Sequence, residues 1–149
     1  MKPLIILVAV FLAGLGITAL MSGNADLMLS GRIAMGVMLL FTAIGHFKFS
    51  RGMAMMIPTF VPAKVQFVIL TGILEVVAAV GIVISSSARI TGILLIIFFL
   101  LVLPANINAA LKKIDYEKGT TGGPGSSYLW FRVPLQILFI TWVYWFAVR

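Results

Sequence analysis

The sequence contains no cysteine, one histidine and four carboxylates in 149 residues. Without cysteine it has no disulfides, thiol redox relays, thiolate metal sites or iron–sulfur ligation. One histidine excludes a multi-histidine metal centre within one chain, so no metal site is expected. Charge is scarce as well. Asp, Glu, Lys and Arg make up 10% of the residues, against 62% hydrophobic, where a soluble domain carries about a quarter charged residues. That balance argues against a water-soluble enzyme, and the wealth of apolar and aromatic residues argues against disorder. The formal charge of +7 is spread between apolar runs rather than clustered. Nucleic acid is therefore not an expected partner, and the basic residues read as topology signals and headgroup contacts.

What the sequence has is long apolar runs. Pro3 to Ala25, Ile33 to Phe47 and Ile90 to Leu111 carry no charge, Val65 to Ala88 carries only Glu75, and Val133 to Val148 carries none. A spanning helix takes about 20 residues, and an open sheet cannot satisfy its backbone in lipid. The fold class expected is all-α, a polytopic membrane helical bundle forming one domain over 1–149, with spans near 3–21, 30–49, 64–84, 88–111 and 128–148. The apolar part of the first span, Leu4 to Met21, exceeds a signal-peptide core and reads as a true span. Lys2, Lys48, Arg51, Lys64, Lys112, Lys113 and Lys118 fall on one side of this arrangement, and Arg32, Arg89 and Arg149 on the other. The excess predicts a cytoplasmic N-terminus and an outside C-terminus in the cell inner (cytoplasmic) membrane. Gly119 to Ser127 reads as a flexible connector. Lys48 to Pro62, with Met53, Met55, Met56 and Phe60, reads as an interfacial segment, either a plain connector or a lid.

Polar residues inside spans are costly and ask for a reason. His46, Asn106, Arg132 and Gln136 fall in one slab below the cytoplasmic headgroups when depth is counted from the helix ends, and Glu75 falls roughly 16 Å down. Thr71, Gly72, Ala78 and Ala79 flank Glu75 on its helix face, and a face of small residues packs against helices. Thr42 lies one turn from His46, and Arg132 and Gln136 are an i,i+4 pair. Asn106 and Asn108 point about 200° apart, which predicts that one of them faces inward. Pro104 and Pro134 free carbonyls near Leu100 and Trp130. The joint picture is a polar pocket opening inward with Glu75 at its floor. The competing reading is a structural network in which Glu75 and Arg132 pair to hold the bundle.

Several stretches resemble the DoxX-like family of small integral membrane proteins: Arg32-Ile-Ala-Met-Gly36, Gly45-His46-Phe47, Met56-Ile-Pro58 to Pro62, Thr71-Gly72-Ile-Leu-Glu75, Pro104-Ala-Asn106 and Arg132-Val-Pro134-Leu-Gln136. The resemblance implies a four-helix core from about residue 31 onward, here with an added N-terminal transmembrane helix. It also implies association with a thiosulfate:quinone oxidoreductase or another membrane redox assembly, or, through distant animal relatives, a chaperone role for a receptor. Thiol chemistry known in some related bundles does not carry over to a chain without cysteine. Two functions follow as expectations. In one, a lipophilic molecule such as a quinone binds non-covalently, with Asn106, Arg132, Gln136, Thr42 and Met56 as ligand-binding candidates. His46 and Glu75 are then the candidates for proton exchange. In the other, the chain is a non-enzymatic accessory subunit or chaperone for a membrane-protein partner, and oligomerisation through small-residue faces such as Ala9/Ala13 is open. A transporter is the weaker third option, since no inverted repeat is visible.

Overall fold

The computed structural model describes residues 2–149. The chain forms α1 (Lys2–Ser22), α2 (Leu27–Lys48), the short α3 (Ser50–Met56), α4 (Lys64–Val83), α5 (Ala88–Leu111), a two-stranded hairpin β1 (Ile114–Asp115) and β2 (Thr120–Thr121), a 3₁₀ turn over Gly125–Tyr128, and α6 (Leu129–Val143), which continues as a π-helical turn to Val148. Five helical segments are long and apolar enough to cross a membrane. The protein is an all-α multi-pass bundle whose outward residues, such as Ile90, Leu101 and Val77, suit contact with lipid acyl chains.

Helix boundaries follow local chemistry. Asp26 caps α2 by accepting from Leu29 N at 2.9 Å, which starts that helix three residues before the span read from hydropathy. The flexible connector expected at 119–127 is replaced by ordered structure. Asp115 Oδ1 accepts from the backbone of Glu117 and Lys118, Lys113 O accepts from Gly122 and Gly123, and Gly119 supplies the positive φ of 65° that the turn requires. The side chain of Asp115, followed four residues later by glycine, is the signal that loop composition concealed.

Helix α2 packs most extensively on α4 and on α1. Two glycines set the α2–α4 approach. A methyl on Gly36 would stand 2.9 Å from Ala79 O, and one on Gly72 would stand 2.8 Å from His46 Cβ. Leu7, Met35, Met38, Leu39, Ile82, Leu95 and Val143 fill the core between α1, α2, α4, α5 and α6. At one end of the bundle Lys2 pairs with Glu117 at 3.6 Å, and the rings of Phe49 and Tyr116 meet at 6.2 Å. The start of α1, the α2–α4 connection and the hairpin therefore share that end, as the alternation of five spans requires. At the other end Arg32 on α2 donates to Phe146 O (2.9 Å) and Ser85 Oγ (3.3 Å), tying down the C-terminal turn.

Candidate functional site

The polar residues gather into two networks rather than one pocket. The first runs along α6. Tyr128, Arg132 and Gln136 are spaced by four, so they form one stripe. Arg132 donates from Nε (3.3 Å) and Nη2 (3.1 Å) to Asn106 Oδ1 and from Nη1 to Tyr128 OH (3.3 Å). Asn106 Nδ2 donates to Gln136 Oε1 at 3.3 Å, and Gln136 Nε2 donates to the carbonyl of Phe99. The side-chain donor that meets the Pro104 break in α5 thus falls on Phe99 O, one residue before the carbonyl expected to be freed. Asn106 and Gln136 are buried at 9% and 8% exposure. Asn108 is not idle: its amide donates to Met56 O at 2.6 Å and fastens the end of α3. Of the two asparagines, Asn106 is thus the one that faces the bundle interior, and Asn108 turns to the side of α5 that α3 covers.

A cavity of about 160 Å³ lies at the hairpin end of this network, lined among others by Met56, Asn106, Tyr116, Pro124, Tyr128 and Arg132, with Asp115 and Glu117 also on its wall. Arg132 has no carboxylate within ion-pair distance among the described residues; its acceptors are a neutral amide and a phenol. A guanidinium has more N–H groups than these contacts use, so free donors remain toward the cavity, on a cation that no carboxylate touches directly although Asp115 and Glu117 share the cavity wall. Burial, and secondarily the phenol of Tyr128, push Tyr116 above its ordinary 10.0, and the nearby Arg132 does not offset them. Tyr116 is therefore a neutral donor at physiological pH. A shallower groove of Leu138, Thr141, Trp142, Trp145 and Phe146 on α6 offers no charged group.

The second network joins α2 and α4. His46 Nε2 lies 3.4 Å from Glu75 Oε1, and His46 Nδ1 lies 3.0 Å from Thr71 Oγ1. Glu75 turns inward, as the small residues around it predicted, with Thr71, Gly72 and Ala79 also buried. Its partner is His46 and not Arg132, and neither Glu75 nor His46 lines the cavity. The inward-opening pocket with Glu75 as its floor is corrected accordingly. Depth counted from helix ends misled, because α3 and the turn-containing 57–63 segment let α4 begin outside the plane where α2 ends. Gly72 on α4 sits against His46 on α2, a stagger of roughly 9 Å at the helical rise per residue. Thr42 bonds back to Met38 O and Leu39 O of its own helix and reaches neither network. Among the described residues no group of three His, Cys, Asp or Glu side chains could hold a metal ion.

A family model described as Domain of unknown function (DUF8561) matches residues 35–147. The chain belongs to this family. The DUF8561 match takes in His46, Glu75, Asn106, Arg132 and Gln136 and begins inside α2, leaving α1 outside it. No curated protein and no solved structure matches the chain.

Proposed function

We propose that this DUF8561 protein holds the polar head of a lipophilic, carbonyl-bearing molecule such as a quinone at the Arg132 cavity, and serves a membrane redox assembly whose electron-carrying centre belongs to a partner. One observation carries the reading: a guanidinium at the edge of the apolar bundle is held by neutral acceptors only and faces a cavity. A guanidinium with spare donors and no direct ion pair is suited to meet a polar ligand atom or a headgroup. Arg132 and the neutral Tyr116 supply donors to a carbonyl oxygen, Met56 supplies an adaptable apolar wall, and Asn106 with Gln136 fixes the guanidinium from behind. The resemblance to DoxX-like proteins supports the redox setting. The excess of basic residues at the hairpin end supports an inner-membrane protein with that end in the cytoplasm.

The test is the lipid complement of protein purified in mild detergent. Wild type should retain a quinone above its share of the source membrane, and Arg132→Gln should lose about tenfold or more, the equivalent of ~1.4 kcal/mol of binding. Identical complements in both proteins would overturn the assignment. A second reading, an accessory subunit for a membrane partner, is favoured by α1, whose Ala9, Ala13 and Gly16 lie exposed in one stretch. Co-purification of a stoichiometric second protein, lost on Ala13→Leu, tests it.

A further inference from the structure

The His46–Glu75 contact carries an inference that goes beyond the ligand reading and does not depend on it. Thr71 Oγ1 lies 2.7 Å from Val68 O, and His46 Nδ1 lies 3.0 Å from Thr71 Oγ1 and 3.2 Å from Val68 O. A carbonyl oxygen only accepts, so the Thr71 hydroxyl gives its hydrogen to Val68 O and turns lone pairs toward the imidazole. His46 Nδ1 then faces two acceptors and must carry a hydrogen. A neutral imidazole with its hydrogen on Nδ1 has a bare lone pair on Nε2. That lone pair points at Glu75 Oε1, 3.4 Å away, between side chains only 7% and 18% exposed. Two acceptors facing each other in a desolvated contact repel unless a proton lies between them.

We propose that His46 and Glu75 form a one-proton site: a single exchangeable proton shared between His46 Nε2 and Glu75 Oε1, with His46 held by Thr71 and Val68 in the Nδ1–H form. The proton sits on the carboxyl as a neutral pair or on the imidazole as an ion pair, and either state satisfies both atoms. Its release leaves a carboxylate opposite a lone pair. The opposite tautomer fails on two counts: it sets the Nδ1 lone pair against Val68 O, and it takes Thr71 from its nearer acceptor. Glu75 Oε2 is buried without a hydrogen-bond partner among the described residues, which costs a neutral carboxyl less than a carboxylate. Among the described residues no other charge neutralises the site. Lys48 on α2, Arg51 on α3 and Arg89 on α5 are exposed, Lys64 on α4 reaches Ile57 O, and Arg132 on α6 is engaged by Asn106 and Tyr128.

The chain has one histidine, so a sample of the full-length protein labelled with ¹⁵N-histidine and reconstituted in bilayers reports this imidazole alone. Solid-state ¹⁵N spectra should show Nδ1 protonated from mildly acidic to alkaline pH. At neutral pH, either Nε2 should also be protonated or the infrared spectrum should show a protonated-carboxyl band. In Glu75→Gln, whose amide donates to Nε2 without a shared proton, any such band should be lost and Nε2 should read as a plain acceptor at neutral pH. Wild-type spectra with Nε2 protonated and Nδ1 bare would overturn the proposal. So would Nε2 as a plain acceptor with no protonated carboxyl. The wild-type spectra decide the matter even if Glu75→Gln does not fold.

Discussion

Asn106 is the residue through which Arg132 is coupled to the bundle, and two substitutions there separate stability from ligand binding. Asn106→Ala removes the acceptor of two guanidinium N–H groups and the donor to Gln136 Oε1. Arg132 lines the cavity, so water restores part of what it loses, and bonds of 3.1–3.3 Å are on the long side of the normal range. Those two contacts are therefore worth about 1–2 kcal/mol together. Gln136 Oε1 is buried and recovers nothing, which adds about 1–2 kcal/mol. The total is a destabilisation of about 2–4 kcal/mol. Asn106→Asp keeps both guanidinium contacts as charge-assisted bonds, and although it sets an oxygen against Gln136 Oε1 where the amide donated, the direct ion pair should leave it about 1 kcal/mol less destabilised than the alanine variant. The carboxylate also cancels the positive charge facing the cavity, so ligand retention should fall as far as in Arg132→Gln while the fold persists. Reversible unfolding in mixed micelles, followed by circular dichroism, measures the first effect, and lipid extraction the second. If Asn106→Ala lies within ~0.5 kcal/mol of wild type, or if Asn106→Asp is the more damaging of the two, the network does not act as described.

Gly36→Ala should destabilise by about 1–2 kcal/mol in the same unfolding assay, because its methyl meets the backbone oxygen Ala79 O and not a side chain that can move. Gly16→Ala, with nothing within 4 Å of the added methyl, should be neutral or slightly stabilising. Tyr116 is neutral in the folded protein beyond the pH at which it ionises in the unfolded chain, so its contribution is fully present below 10.0 and is lost as pH rises from there through the higher folded value. Tyr116→Phe should flatten that alkaline decline in Tm. Because the chain lacks cysteine, single cysteines at Lys118 and Arg89 report topology directly. With the N-terminus cytoplasmic, an impermeant thiol reagent labels Arg89→Cys and spares Lys118→Cys in intact cells. Labelling of both from outside would show that the hairpin and the α4–α5 turn do not lie on opposite faces.

How far the sequence could be read divides along a physical line. The five spans were legible because lipid demands length and hydropathy, and both are local properties. Glu75 was legible as inward-facing because Thr71, Gly72 and Ala79 share its face, again within one helix. Its partner was not, since choosing His46 over Arg132 requires the stagger between α2 and α4. That stagger is set by α3 and by the contacts at Gly36 and Gly72, none of which hydropathy encodes. Thr42 shows the same limit: one turn from His46 on the helix, it satisfies its hydroxyl on its own backbone and leaves the network. Nothing in the charge count or in the Arg32 to Gly36 stretch points to a partner for Arg32, yet its bond to Phe146 O holds the last turn of the chain, and that contact spans 114 residues.

The separation of the two networks bears on mechanism. Had Glu75 paired with Arg132, each would have cancelled the other's charge, and the polar interior would have been explained as packing glue. Instead the cation is held by neutral acceptors at a cavity, and the carboxylate is left to a histidine able to share a proton with it. An arrangement built only for stability would bring the opposite charges together, because the separated ones each bear a desolvation cost. Keeping them on different helix pairs preserves a positive site and a proton-binding site in the same small bundle. Arg132→Gln and Glu75→Gln should then act independently: the double variant should combine the ligand loss of one with the proton-site loss of the other, without the rescue expected of a broken ion pair. Mutual rescue in the double variant would restore the packing interpretation.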